Sequence, residues 1–180
     1  MIVKKRLTVI LALVVLAMAP ALADPMSDVK AAFAKLAAAK TYKISATPPS
    51  GPAVKGEVVN PGDSHMTIGP MEIIIIGNTT YTKMGGSWAK QTASGISNGE
   101  SPMALATPGP DAVVRDLGAK TVGGVSLHAY SMQKTASAPV ATVYIDGNGL
   151  PVRIESAAAR GNMVMQLSDF NAPITIVAPI

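Results

Sequence analysis

M-E-I-I-I-I-G-N-T-T-Y-T-K, residues 71–83, decides the fold. Four consecutive isoleucines are stiff, β-branched and suited to an extended strand. Gly77-Asn78 is a turn pair that tolerates positive φ, and Thr79 to Met84 is a second β-prone run. A two-residue hairpin loop sets Ile76 against Thr79 and Glu72 against Lys83, opposite charges directly across the ladder. It also sorts the faces. Glu72, Ile74, Ile76, Tyr81 and Lys83 fall on one side; Met71, Ile73, Ile75, Thr80, Thr82 and Met84 fall on the other. Even the charged side carries two isoleucines. A strand apolar on both faces is covered on both, or one face holds something the chain does not encode.

Working outward, the chain keeps a period of two. Tyr42–Ala46, Val54–Asn60, Ser64–Gly69 and Ser87–Lys90 read as strands around the hairpin, separated by Pro/Gly-rich turns. After residue 118, Lys120–Val122, Val125–Gln133, Val140–Asp146, Leu150–Ser156, Asn162–Ser168 and Ile174–Val177 continue the pattern. Strands every 8 to 12 residues with turn signals between them predict an antiparallel sheet. Two helices interrupt it. Ser27 is read as the N-cap of an amphipathic helix on which Val29, Phe33 and Leu36 share a face. Asp111–Leu117 reads as a short helix opened by Pro110 and stopped by Gly118. Residues 92–110, rich in Ser, Gly and Pro, are too long for an ordinary hairpin loop and are expected to gate a site.

The chain has 180 residues and a formal charge of +4. Lys4, Lys5 and Arg6 precede an apolar run, Leu7–Ala19, and Ala21-Leu22-Ala23 is an A-x-A cleavage site. The run is short for a bilayer span, which needs about 20 residues. Residues 1–23 are therefore expected to be a cleaved signal peptide, and 24–180 one domain. Without the signal, 12 Lys and Arg face 11 Asp and Glu, so the basic pI belongs largely to the signal and gives no argument for nucleic acid. The absence of cysteine excludes disulfides and thiol chemistry, and with export it points to a bacterial periplasm or exterior.

Alternation collects one inward set: Ile44, Met66, Ile68, Met71, Ile73, Ile75, Met84, Val152, Ile154, Met163 and Met165, facing Phe33 and Leu36 of the helix. It is an Ile/Val/Met surface with hardly an aromatic ring. One or two helices do not easily cover so much sheet, and methionine accepts partners of varied shape. Either an ordinary core or an apolar ligand cavity fits that pattern.

Chemical motifs are weak. Gly95-Ile96-Ser97-Asn98-Gly99 matches G-x-S-x-G, with Asp111, Asp116 and His128 downstream. It lacks the buried strand before the serine and the helix after it. Asp146-Gly147-Asn148-Gly149 begins like a calcium loop, but Pro151 and Ala157 stand where glycine and glutamate are needed. His65 and His128 have no metal-ligand spacing. No enzyme, cofactor or metal is predicted. Asn78-Thr79-Thr80 is a glycosylation sequon, at the turn the hairpin already requires.

Several motifs in order resemble a known group. Gly85-Gly86-Ser87-Trp88 follows a Y-x-K strand; Tyr144-Ile145-Asp146-Gly147-Asn148-Gly149-Leu150-Pro151-Val152-Arg153-Ile154-Glu155 forms a D-G-x-G-L-P-x-R hairpin; the end reads N-A-P-I-T-I-x-x-P over Asn171–Pro179. The pattern resembles LppX/LprG-type proteins of the LolA-like superfamily. That resemblance implies a mainly β (α+β) fold, a half-open antiparallel β-barrel of about eleven strands, with the N-terminal and mid-chain helices as a lid. It also implies a soluble, monomeric periplasmic carrier for a lipid or the acyl chains of a lipoprotein. One departure is the missing lipobox cysteine. The alternative is a module of the same fold that binds an envelope protein through the Ile74/Ile76/Tyr81/Trp88 side.

Overall fold

The computed structural model describes residues 24–92, 107–158 and 161–180. The expected signal peptide and most of the 92–110 stretch, with Ser97, lie outside them. One helix, α1 (Pro25–Ala38), precedes eleven strands: β1 (Thr41–Thr47), β2 (Val54–Val59), β3 (Asp63–Ile68), β4 (Met71–Ile76), β5 (Thr79–Met84), β6 (Ser87–Thr92), β7 (Val113–Val122), β8 (Val125–Gln133), β9 (Ala141–Ile145), β10 (Pro151–Ala158) and β11 (Gly161–Ser168). All strands join one antiparallel sheet in the order β6-β5-β4-β3-β2-β1-β11-β10-β9-β8-β7. Two meanders meet at β1 and β11, the sheet does not close, and among the described residues β6 and β7 are its edges. The fold is mainly β, as expected.

The hairpin at 71–83 has the predicted register. Glu72 pairs Lys83, Ile73 pairs Thr82 and Ile76 pairs Thr79. Gly77 takes φ 54°, which costs a residue without a β-carbon little. Its N–H donates to Asp63 Oδ1 at 2.9 Å, tying the turn to β3.

Three expectations need correction. The N-cap of α1 is Asp24, not Ser27: its Oδ1 accepts from Met26 N at 3.2 Å, and Pro25 follows at the first helical position, where its missing N–H is harmless. Asp111–Leu117 is not a helix. Asp111 lies in a turn, and the chain from Val113 runs extended as β7, paired with β8 from Val113↔Gln133 to Val122↔Val125. Gly118 does not stop a helix. It sits at a bulge with φ 71°, its N–H donated to Asp116 Oδ1 at 2.6 Å. Two adjacent valines and a long partner strand outweigh the weak helical spacing. The mid-chain lid helix therefore falls away, and α1 is the helix of the described residues. Finally, Ile174–Val177 is not a strand. Asn171 N donates to Thr41 O and Thr41 Oγ1 donates to Ala172 O, but β1 is already paired on both edges by β2 and β11, so the tail finds no ladder there.

Val29, Ala32, Phe33 and Leu36 bury one face of α1 against Tyr42, Ile44, Val58, Tyr130, Met132, Val143, Ile145, Ile154 and Leu167. Each fully buried side chain of the Val/Leu/Phe class contributes about 1.5–3 kcal/mol. The helix ends where Asn60 meets it. Its Nδ2 donates to Ala39 O at 2.6 Å and lies 3.2 Å from both Leu36 O and Ala37 O, answering carbonyls that a helix end leaves unpaired.

Candidate functional site

Cross-strand register lays the helix side of the sheet out in rows. One row runs Met165, Ala46, Val54, Ile68, Met71. The next runs Leu167, Ile44, Gly56, Met66, Ile73, Thr82, Ala89. A third runs Tyr42, Val58, Ser64, Ile75, Thr80, Gln91. Each row starts under α1; the second and third continue to the β6 edge, and the first is paired as far as Met71 of β4.

The helix covers only the first part. It lies against β7 and β10, and the core beneath it extends no further than Val58 of β2 on this side. Beyond Val58, Met66, Ile68, Met71, Ile73 and Ile75 are half-buried, and Met84 is 69% exposed. Gly56 makes a notch in the middle row. The Met66 sulfur lies where a β-carbon on Gly56 would stand, so the thioether spreads along the sheet instead of standing off it.

This half of the face carries no charge. Every ionisable side chain of β3–β6 — Asp63, His65, Glu72, Tyr81, Lys83 and Lys90 — alternates to the opposite side. Polar groups on the helix side are confined to Ser64, Thr80, Thr82, Ser87 and Gln91. Such a surface can take an apolar chain by contact alone, with no buried ion to desolvate.

The expected site residues thus separate. Phe33, Leu36, Ile44 and Ile154 are buried in the core under α1. Val152 is half-buried at a register irregularity between β10 and β9. Met163 and Met165 are half-buried on β11. Met66, Ile68, Met71, Ile73, Ile75 and Met84 come together on the uncovered half. Sequence reading missed Tyr130, Met132 and Val143 as the core that α1 rests on, although the alternation in β8 and β9 carries that signal. It also missed Gly56.

The opposite face is not a bare apolar patch. Ile74 and Tyr81 are cross-strand partners and each is 6% exposed; Ile76 and Trp88 are half-buried. Long charged side chains lie around them. Lys83 Nζ is 2.9 Å from Glu72 Oε1 and 5.5 Å from the Trp88 ring centre, and Lys90 Nζ is 5.8 Å from that of Tyr81, within cation–π range. The Lys83 hydrogen bond holds the Glu72 carboxyl below its ordinary range.

Other motifs resolve into structure. His128 Nε2 lies 2.7 Å from Asp116 Oδ1, and both are exposed; the Gly118 N–H and this histidine hold the Asp116 carboxyl below its usual range. Asp146 Oδ1 accepts from Asn148 N and Leu150 N, so D-G-N-G is the β9–β10 turn. Among the described residues no three His, Cys, Asp or Glu side chains group to hold a metal ion, and no helix is long and apolar enough to cross a membrane.

No family model matches the chain, and a search of curated proteins finds no match. Solved structures do match. LprF from Mycobacterium bovis superposes with a TM-score of 0.62 over 86% of this chain and 96% of that one, at 17% identity. The lipoprotein LppX from Mycobacterium tuberculosis gives 0.61 over 84% and 97%, at 14% identity. The chain has the fold of LprF and LppX. At these identities the likeness is one of architecture. What distinguishes this chain is how its own residues furnish the sheet: a helix-covered core at one end and an uncharged Ile/Met half-face at the other.

Proposed function

We propose that this protein is a non-enzymatic binding or carrier protein for a hydrophobic ligand, a lipid or the acyl chains of a lipoprotein. The reading assigns residues 1–23 to a cleaved signal peptide and 24–180 to a single, monomeric periplasmic domain. The observation that carries it is the charge-free half-face of Met66, Ile68, Met71, Ile73, Ile75 and Met84, which α1 leaves uncovered. The two matching architectures are compatible with it. An acyl chain laid along the rows would replace water at a gain of about 0.8 kcal/mol per buried methylene. Selectivity among chains would be low, because apolar contact has no direction. The alternative, a protein-binding patch on the Ile74/Tyr81 side, is less favoured because both residues are already buried.

The test is native mass spectrometry of the exported protein with extraction of bound lipid, followed by titration with a fluorescent fatty acid. Co-purifying lipid and saturable binding are expected. A protein that carries no lipid and shows no saturable binding would sink the proposal.

A further inference from the structure

The outer face of β11, β1, β2 and β3 carries a groove of about 430 Å³, on the side of the sheet away from α1. Its floor is backbone. Ile44 and Gly56 turn their side positions to the helix side, and their main chain lies open between two rows of outward residues.

The rows differ in what they leave free. One runs Ser45, Lys55, Thr67 by direct cross-strand pairing. Among the described residues none of these three side chains has a hydrogen-bond or ion-pair partner. The other runs Ser168, Lys43, Glu57, His65. Here the charge is internally balanced: Lys43 Nζ is 3.1 Å from Asp169 Oδ2 and 3.8 Å from Glu57 Oε1. The Ser168 hydroxyl has no partner among the described residues. His65 Nε2 is shut off from solvent with no hydrogen-bond partner; its nearest acid, Glu72 Oε2, stands 3.5 Å away, too far for a good hydrogen bond.

We propose that this groove binds a singly charged phosphodiester. One ammonium flanked by two hydroxyls on adjacent strands can turn three donor groups toward an oxyanion, and a phosphate oxygen is an acceptor that such a set recognises. One unpaired cation matches one negative charge. The Glu57 carboxylate across the groove opposes a second charge, so a dianionic monoester is disfavoured. The groove between the rows is open, so the two ester arms of a diester can run on from the phosphorus along it. A phospholipid headgroup and a soluble glycerophosphodiester share this chemistry. The site lies on the opposite face from the apolar rows and stands or falls independently of the carrier reading.

The test is titration of the ¹⁵N-labelled exported protein with dimethyl phosphate at fixed ionic strength. Saturable amide shifts at Ser45, Lys55 and Thr67 are expected. Lys55→Gln and Thr67→Val should each weaken the response at least fivefold, while Lys90→Gln, on the same face outside the groove, leaves it unchanged. Shifts that never saturate, or equal weakening by Lys55→Gln and Lys90→Gln, overturn the proposal. A second arm compares glycerophosphoglycerol with phosphatidylglycerol vesicles. Lys55-dependent binding to either one upholds the site and identifies its source; binding to neither overturns it.

Discussion

Asn60 and Tyr130 each join α1 to the sheet through one side chain. Asn60 Nδ2 meets three carbonyls at the helix end, and Asn60→Ala leaves those acceptors bare. A typical loss is about 1–2 kcal/mol, or roughly 2–8 °C for a domain of this size, read by thermal unfolding; an unchanged midpoint would mean that water serves the helix end equally well. Tyr130 is buried and donates to Asp28 Oδ2 at 2.9 Å. Burial first, then the Asp28 carboxylate, pushes its phenol up to about 12. The unfolded chain loses this proton near pH 10 while the folded chain keeps it, so the stabilisation is fully present below pH 10 and is lost as pH rises toward 12. Denaturant titrations across that window should show falling stability, with a shallower fall in Tyr130→Phe. The mutant also loses one hydrogen bond, about 1 kcal/mol at neutral pH. Tyr144, raised by burial and by Glu155, gives the same sign.

At the scale of elements, strands β4 and β5 were legible because two local signals agreed: a Gly-Asn turn and an opposite-charge pair. Together they fixed the faces of residues 71–84, and the structure keeps that division. Coverage was not legible. Whether Ile73 or Ile74 is the more buried depends on which distant element lies above it, and the answer is Ile74, on the charged side. The same limit explains β7. D-A-V-V-R-D-L with a following glycine reads locally as a short helix, and only pairing with β8 over the length of the strand decides otherwise. The site shows both halves of this lesson: alternation grouped its methionines and isoleucines, while the reach of α1, which divides core from open face, had no local signature. The face assignment is testable. Ile73→Asp places a charge on the uncharged rows at a half-buried position, so the fold should survive and fatty-acid binding should weaken at least tenfold, about 1.4 kcal/mol. Ile76→Ser, on the other face, should leave binding within twofold. Equal effects from the two variants would contradict the division of faces.

The molecule as a whole is unevenly furnished. Strands β1, β2 and β8–β11 contribute residues to the core under α1, whereas β3–β6 contribute none to it. Backbone pairing continues to the β6 edge, but hydrogen bonds alone add little net stability when water competes for the same groups. Local opening is easiest where buried apolar contact is thinnest. Amides of β4–β6 should therefore exchange with deuterium faster than those of β1 and β8–β10 in the delipidated protein. A ligand that binds the folded state stabilises it by about 2.7 kcal/mol at a hundredfold excess over Kd. On the carrier reading that gain falls on the strands that α1 does not cover. Oleate should then slow exchange in β3–β5 first and most, narrowing the difference between the two halves of the sheet. If protection rises equally everywhere, or mainly beneath α1, the ligand occupies the core side and the half-face of Met66, Ile73 and Ile75 is not its seat.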